Sequence, residues 1–143
     1  MSDIVVDSSV AAKWILPESD SIEARRLVSN SSTTGERLFV LDLALAEVAN
    51  AIWKRHHQRI IGTEEARELL GRLLRIPVRV QPSTRLLDSA LEIASTYDRA
   101  IYDALFVALA HDLQLPGVTA DEPLWQAVHA DFPNIVLLRD WQQ

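Results

Sequence analysis

The segment Ile4-Val5-Val6-Asp7-Ser8-Ser9 is a short apolar run that ends in a carboxylate. Four other β-branched or apolar stretches follow it, at Leu38 to Leu41, Pro77 to Val80, Gly117 to Thr119 and Ile135 to Leu138. Most are continuously apolar, which is typical of strands buried on both faces of a parallel sheet. Helical patterns lie between them. The sequence therefore predicts an α/β fold, a three-layer α/β/α sandwich around a central parallel sheet of four to five strands with right-handed crossovers.

Three of the predicted helices begin at recognisable signals and cover about residues 20–28, 63–75 and 82–97. The signals are a capping box in Asp20-Ser21-Ile22-Glu23, an acidic first turn in Thr63-Glu64-Glu65, and Pro82 at a helix start. Asp42 also resembles a helix cap, and Ser29 to Gly35 is the most loop-like stretch of the chain.

Two further helices carry an isolated acid on an apolar background. Leu43 to Trp53 is apolar except for Glu47 and Asn50, and Asp103 precedes seven apolar residues from Ala104 to Ala110 in a helix that spans Tyr102 to Leu113. Helices that are apolar on all sides are buried. We therefore expect each carboxylate in a place where an unpaired charge is unfavourable.

Length, charge and composition limit the class of protein. The 143 residues fit a single domain, 1–143, and the formal net charge of −6 argues against a large basic face that grips nucleic acid. The absence of cysteine excludes disulfides and thiolate metal sites. No secretory signal or membrane-spanning apolar run is recognisable, so a cytoplasmic location and no membrane partner are the default expectations.

Four acids occupy places where a ligand site is expected, although most have an ordinary structural explanation. Asp7 and Asp121 each follow a strand and could cap the next helix, and Asp103 could simply favour a helix N-terminus. Glu47 lies inside a helix, so capping cannot explain it. Asn50, one turn further on, could orient its carboxylate.

Taken together, the four acids are all expected at one edge of one sheet, beyond the carboxyl ends of its strands. Carboxylates that lie close together repel one another unless a cation intervenes. Mg²⁺ or Mn²⁺ prefers oxygen ligands and can lower the pKa of a bound water. Asp7, Glu47, Asp103 and Asp121 are therefore the predicted metal-binding set.

Four short motifs, in this order and spacing, resemble those of the PIN-domain ribonucleases and, within them, the VapC toxins of toxin–antitoxin pairs. They are Val5-Val6-Asp7-Ser8-Ser9, Ala46-Glu47-Val48-Ala49-Asn50-Ala51, Ile101-Tyr102-Asp103 with the apolar run to Ala110, and Val118-Thr119-Ala120-Asp121-Glu122-Pro123-Leu124. The resemblance covers nearly the whole chain, and it implies a PIN-like nuclease domain.

The resemblance also implies a function and a set of site residues. The four acids would form the catalytic quartet of a Mg²⁺- or Mn²⁺-dependent endoribonuclease, with Ser9 and Thr119 assisting in the pocket. In-line attack by an activated water on an RNA phosphodiester would leave a 5′-phosphate and a 3′-hydroxyl. The expected partners are RNA, a second copy of the chain, and a cognate antitoxin whose basic C-terminal segment enters the acidic groove.

Three other classes compete with this interpretation. A response-regulator receiver needs an acidic pair on the first strand and a lysine on the last, whereas Asp7 stands alone and no lysine follows Lys54. A haloacid-dehalogenase-like phosphatase needs a second aspartate where Ser9 stands. An acidic binding module without catalysis is the third alternative, although all four acids are present.

A basic run from Lys54 to Arg59 follows the Glu47 helix. It could contact RNA phosphate. A solvated helix end, favoured by the helix dipole, is the preferred interpretation.

Overall fold

The computed structural model describes residues 3–141. Five parallel strands form one sheet in the order β3-β2-β1-β4-β5, with β1 Ile4–Val6, β2 Leu38–Leu41, β3 Arg79–Gln81, β4 Gly117–Thr119 and β5 Ile135–Leu137. The helices are α1 Ser8–Ala11, α2 Ser21–Thr34, α3 Asp42–His57, α4 Thr63–Arg75, α5 Leu87–Tyr97, α6 Ile101–Leu113 and α7 Glu122–Val128. Three short 3₁₀ turns cover Ala12–Trp14, Thr84–Leu86 and Leu138–Asp140.

Helices cover both faces of the sheet, which confirms the predicted three-layer α/β/α architecture. Alternate residues of β1 enter different cores, because Ile4 and Val6 pack with α1 to α4 while Val5 packs with α5, α6 and α7. Helix α6 is the most buried helix, and its apolar run from Ala104 to Ala110 is buried throughout, as predicted. Among the described residues, none of the helices has the length and apolarity needed to cross a bilayer.

Gly117 allows β4 and α6 to approach closely. A Cβ atom at this position would lie 2.9 Å from Ile135 Cδ1 and 3.0 Å from both Ala110 Cβ and Phe106 Cζ. Any larger side chain would push β4 away from the helix, and β4 leads directly into the stretch that carries Asp121. The glycine is therefore part of what fixes the position of the acid.

The expected loop at Ser29 to Gly35 is wrong, since α2 continues to Thr34 and ends at Gly35, whose φ of 81° suits glycine. The Thr33 and Thr34 hydroxyls donate to the carbonyls of Ser29 and Asn30, four residues earlier, so these polar side chains are accommodated within the helix.

The predicted caps at Asp20 and Asp42 are also wrong. Asp20 occupies the N-cap position of α2, but it is left-handed, with φ 63°, and its side chain makes no capping hydrogen bond. The Ser21 hydroxyl accepts from the backbone N–H of Glu18. Asp42 is the first residue of α3 and follows the N-cap Leu41, and its carboxylate accepts hydrogen bonds from the backbone and hydroxyl of Ser83 instead of capping the helix. That contact occupies the turn after Pro82, and α5 begins only at Leu87.

Two apolar patterns are less buried than predicted. The strand expected at Pro77 to Val80 is Arg79–Gln81, an edge strand whose Val80 is exposed. Helix α3 is longer than predicted and is buried only at Ala44, Val48 and Ile52. Its remaining apolar residues are half-buried or exposed and include Leu43, Leu45 and Trp53 as well as alanines, which favour helix formation without being confined to a core.

Candidate active site

The order of the strands creates a crevice between β1 and β4. From β1 the chain adds β2 and β3 on one side, and β4 and β5 complete the other side. In open parallel sheets, ligands bind beyond the carboxyl ends of the strands at this switch point. Asp7 directly follows β1, and Asp121 lies two residues after the end of β4. The topology thus brings two of the four predicted acids to the place where a ligand is expected.

Asp7 is held by a network that joins the two central strands. Its Oδ2 accepts hydrogen bonds from the hydroxyls of Ser9, at 2.8 Å, and Thr119, at 2.7 Å. Each hydroxyl also accepts a backbone N–H, Ser9 from Ala120 at 3.0 Å and Thr119 from Asp121 at 3.1 Å. Both hydroxyls therefore have their donor and acceptor roles fixed, and they orient the Asp7 carboxylate within the crevice.

Asp7 and Asp121 are helix caps as well as members of the crevice. Asp7 Oδ1 accepts from the backbone N–H of Ser8 at 2.9 Å, and Asp121 Oδ1 accepts from that of Leu124 at 3.1 Å. The two explanations that compete in the sequence are therefore compatible. A cap uses one oxygen of a carboxylate and leaves further acceptor sites free.

Glu47 and Asp103 complete one pocket with these acids. The pocket has a volume of about 330 Å³, and all four carboxylate residues line it, together with Ser8, Ser9 and Asn50. Asp103 is half-buried in the first turn of α6, whereas Glu47 is exposed on α3. The expectation that Glu47 occupies a buried helix is therefore wrong, because its side of α3 faces the open pocket.

The electrostatics of the pocket show that the acids affect one another. Burial, with a smaller contribution from the charge of Asp103, raises the pKa of Asp7 to about 6 against the lowering effect of the Thr119 and Ser9 hydroxyls. Burial, then Asp7 and Asp103, raise the pKa of Glu47. Burial and Asp121 raise the pKa of Asp103, while Arg99 lowers it. The carboxylates are thus close enough to disfavour joint ionisation without a cation.

The donor set suits a hard divalent cation. Within residues 3–141, no group of three or more carboxylate or histidine side chains is arranged to hold an ion directly as it stands. Mg²⁺ usually keeps several waters and binds through only one or two carboxylates, so a preformed cage is not required. Asp7 Oδ1 accepts a single hydrogen bond, from Ser8, and so retains acceptor capacity toward such an ion.

Lys54 is the pocket residue that the sequence interpretation set aside. It lies seven residues after Glu47 on α3, two helical turns along the same face, and it lines the pocket with the acids. The basic run begins within the last turn of α3 rather than beyond the helix. The helical spacing from Glu47 through Asn50 to Lys54 is the signal that could have identified it.

Glu122, the neighbour of Asp121, is directed elsewhere. Its carboxylate forms an ion pair of 2.6 Å with Arg139 and does not line the acidic pocket. Of these two adjacent acids, Asp121 is therefore the one that shares the pocket, in agreement with the spacing of the sequence motif.

Comparison with known proteins identifies the family. The model of the PIN domain matches residues 4–128. Ribonuclease VapC3 of Pyrobaculum aerophilum is 33% identical over 135 residues, which cover 93% of this chain and 97% of that protein. Ribonuclease VapC9 of Mycobacterium tuberculosis is 32% identical over 136 residues, covering 95% of this chain and 99% of the relative.

Solved structures share the fold at lower sequence identity. PAE2754 from Pyrobaculum aerophilum superposes with a TM-score of 0.73 at 22% identity, covering 96% of this chain and 85% of the other. VapC20 from Mycobacterium tuberculosis, a toxin that cleaves the sarcin–ricin loop, gives a TM-score of 0.68 at 18% identity and covers 93% and 98% of the two chains. With most of its length matched both by the family model and by curated relatives, this chain belongs to the PIN domain family and is related to the VapC ribonucleases.

Proposed function

We propose that this chain is a Mg²⁺- or Mn²⁺-dependent endoribonuclease and the toxin of a type II toxin–antitoxin pair. The observation that carries the proposal is the shared pocket of Asp7, Glu47, Asp103 and Asp121 at the switch point of the sheet. The ribonuclease activity is supported by membership of the PIN domain family and by relatives that are named VapC ribonucleases.

The residues of the pocket have distinct roles in this proposal. Asp7, Glu47, Asp103 and Asp121 would hold the divalent ion, which when bound supplies positive charge and lowers the pKa of a water. Ser9 and Thr119 keep the Asp7 carboxylate in one orientation through hydrogen bonds of 2.8 and 2.7 Å. Lys54, on the rim, is placed to bind a phosphate oxygen of the substrate.

The fold and the site weigh against the competing enzyme classes. Receiver domains have the strand order 2-1-3-4-5, whereas this sheet has the order 3-2-1-4-5. The last strand, Ile135–Leu137, carries no lysine. The serine at position 9 donates a hydrogen bond to Asp7, so it supports the first acid and does not replace the second acid of a phosphatase.

The protein partners follow from the charge and from the exposed apolar surface. The net charge of −6 and the acidic pocket suit an antitoxin with a basic C-terminal segment. One solved structure that shares the fold is a toxin–antitoxin complex from Klebsiella pneumoniae. Leu87 and Leu91, one turn apart on α5, are 46% and 60% exposed, and they offer an apolar face to a second copy of the chain.

Cleavage of RNA by the purified chain, freed of any partner, tests the proposal. We expect cleavage with Mg²⁺ or Mn²⁺, none with a chelator, and 5′-phosphate and 3′-hydroxyl ends on the products. Asp103→Asn should abolish cleavage, whereas Asp88→Asn, which removes the same charge from the exposed face of α5, should not. A folded, metal-loaded chain that binds RNA without cutting it would favour the acidic binding module instead.

The proposed assembly has its own test. Light scattering coupled to size exclusion should give a dimer that Leu87→Glu with Leu91→Glu converts to a monomer, while Leu74→Glu, at a residue 64% exposed on α4, leaves the dimer intact. A peptide with the antitoxin's basic tail should inhibit cleavage, and the inhibition should weaken as salt increases. A monomeric parent chain would refute the homodimer.

A further inference from the structure

A second cavity, of about 470 Å³, is lined by apolar side chains and by three arginines from three different helices. They are Arg25 of α2, Arg55 of α3 and Arg72 of α4. Glu65 is the carboxylate among the described lining residues, so the lining carries more positive than negative charge. This excess contrasts with the net charge of −6 for the chain.

In the part of the chain that the structure describes, no carboxylate forms an ion pair with the arginines of this cavity. Within residues 3–141, the side chains of Arg55 and Arg72 form no hydrogen bond or ion pair, and Arg25 makes a long hydrogen bond of 3.4 Å from its Nε to the Trp14 carbonyl. Elsewhere, Arg37, Arg85 and Arg139 are each paired with an acid at 2.6 to 2.7 Å. The terminal guanidinium nitrogens at the cavity are therefore available to an external anion.

The arginine cavity follows the acidic pocket along the same two segments of the chain, residues 12–15 and helix α3. Ala12 and Ala51 line the acidic pocket. Ile15 and Arg55, which lie about one helical turn further along the same two segments, line the arginine cavity. One turn of α3 advances about 5–6 Å along the helix axis. Lys54, immediately before Arg55, lines the acidic pocket and extends the positive charge to its edge.

We propose that Arg25, Arg55 and Arg72 form a phosphate-binding subsite that anchors the RNA strand beside the scissile bond. The inference rests on the proposed ribonuclease function and adds to it the residues that bind the substrate backbone. A polyanion is repelled by four carboxylates, so binding requires cations that lie close to the pocket but outside it. Arginine is well suited to this role, because its planar fork matches the oxygens of a phosphate.

The position of the cavity favours RNA over an acidic peptide as its occupant. When the scissile phosphodiester of an RNA strand lies among the acids, its next phosphates lie about one or two nucleotides along the strand. That distance is comparable with the length of one turn of α3, which separates the two cavities. The arginines come from three separate helices, and Lys54, the sequence neighbour of Arg55, lines the acidic pocket, so positive charge is present at both cavities. Phosphate contacts of this kind position the substrate and do not specify its sequence.

The salt dependence of RNA binding tests the subsite. A fluorescent single-stranded RNA of mixed sequence is titrated with the cleavage-deficient Asp103→Asn chain at several salt concentrations. Each lost phosphate contact should reduce the slope of log affinity against log salt by about 0.7. Arg55→Gln with Arg72→Gln should therefore reduce it by about 1.4 and weaken binding of all sequences alike.

The charge-matched control is Arg26→Gln with Arg75→Gln, at exposed arginines of α2 and α4 that do not line the cavity. This pair should retain the parental slope. Arg55→Lys with Arg72→Lys should recover most of it, because the charge is kept. In the otherwise unchanged chain, the double glutamine variant should raise KM for RNA cleavage and leave kcat nearly unaltered.

Equal slopes for the cavity pair and the control pair, in folded proteins that still bind RNA, would overturn the subsite and assign the cavity to a protein partner. The failure of the proposed function has a different appearance. In that case the parent chain would not cleave RNA with any divalent metal, whatever the state of the arginines.

Discussion

Asp7→Asn should stabilise the metal-free protein at neutral pH. The Asp7 carboxylate is half-buried beside other acids, and its pKa is raised from 3.8 to about 6. The native state therefore holds this proton more tightly than the unfolded chain does. Below about pH 4 both states are protonated and the group contributes nothing. As pH rises through about 6, the native state acquires an unfavourable charge and loses stability.

The structure gives the size of this effect. A shift of about two pKa units corresponds to about 3 kcal/mol of native-state destabilisation once Asp7 is ionised. Asparagine keeps an oxygen for the Ser9 and Thr119 hydroxyls, but its amide cannot also accept the Ser8 N–H. The loss of that hydrogen bond costs about 1 kcal/mol. The net gain is therefore about 2 kcal/mol, or roughly 8 °C in Tm.

Thermal and urea unfolding in the presence of a chelator would measure this difference. The gain of the variant should be largest at about pH 7.5, because only the ionised carboxylate is unfavourable. Near pH 4 the lost Ser8 hydrogen bond should leave the variant about 1 kcal/mol less stable than the parent. Since both proteins share all other titrating groups, their difference isolates position 7. Added Mg²⁺ should raise the Tm of the parent chain and have little effect on the variant. A variant that is less stable than the parent by the same amount at both pH values would refute the reasoning.

Three further predictions concern the surroundings of the site. Thr119→Val removes a fully buried hydroxyl that orients Asp7, so it should lower metal affinity about 10- to 100-fold, as measured by calorimetry, with Thr119→Ser retaining most of it. Gly117→Ala should lower the free energy of urea unfolding by about 1–3 kcal/mol. The new Cβ atom would lie 2.9 to 3.0 Å from Ala110, Phe106 and Ile135. Unchanged stability would mean that β4 can move to accommodate it. Asp121→Asn should abolish RNA cleavage although the asparagine can still cap α7. The Glu122→Gln variant should cleave RNA normally, because Glu122 pairs with Arg139 away from the pocket. An equal loss of cleavage in both variants would contradict the assignment.

The sequence predicted the fold most reliably where burial and periodicity agree. The strand Ile4–Val6 and the apolar run of α6 are as predicted, since a strand or helix that is apolar on all sides can only be interior. The strand at residues 77–80 was displaced because an edge strand is exposed and its apolar residues carry less information about its position. The polar end of α2 was missed because side-chain bonds to earlier carbonyls depend on the helix already being formed.

The predicted site residues are brought together in the structure, but one of the reasons for selecting them did not hold. Glu47 was singled out as an acid in a buried helix, whereas α3 is amphipathic and Glu47 faces the open pocket. Its spacing from Asn50 and Lys54 is the more informative feature. The arginine cavity could not be read from the sequence at all, because Arg25, Arg55 and Arg72 meet only when three separate helices pack together.

The most direct test of the account is a paired titration of Mn²⁺ binding and RNA cleavage on the same protein samples. We expect the parent chain and Asp88→Asn to bind Mn²⁺ and to reach half-maximal cleavage at the metal concentration that half-saturates the site. The Asp103→Asn variant should lose both Mn²⁺ binding and RNA cleavage while remaining folded. Undiminished Mn²⁺ binding in Asp103→Asn, or RNA cleavage that persists in chelator, would contradict the claim that the four carboxylates hold the metal on which cleavage depends.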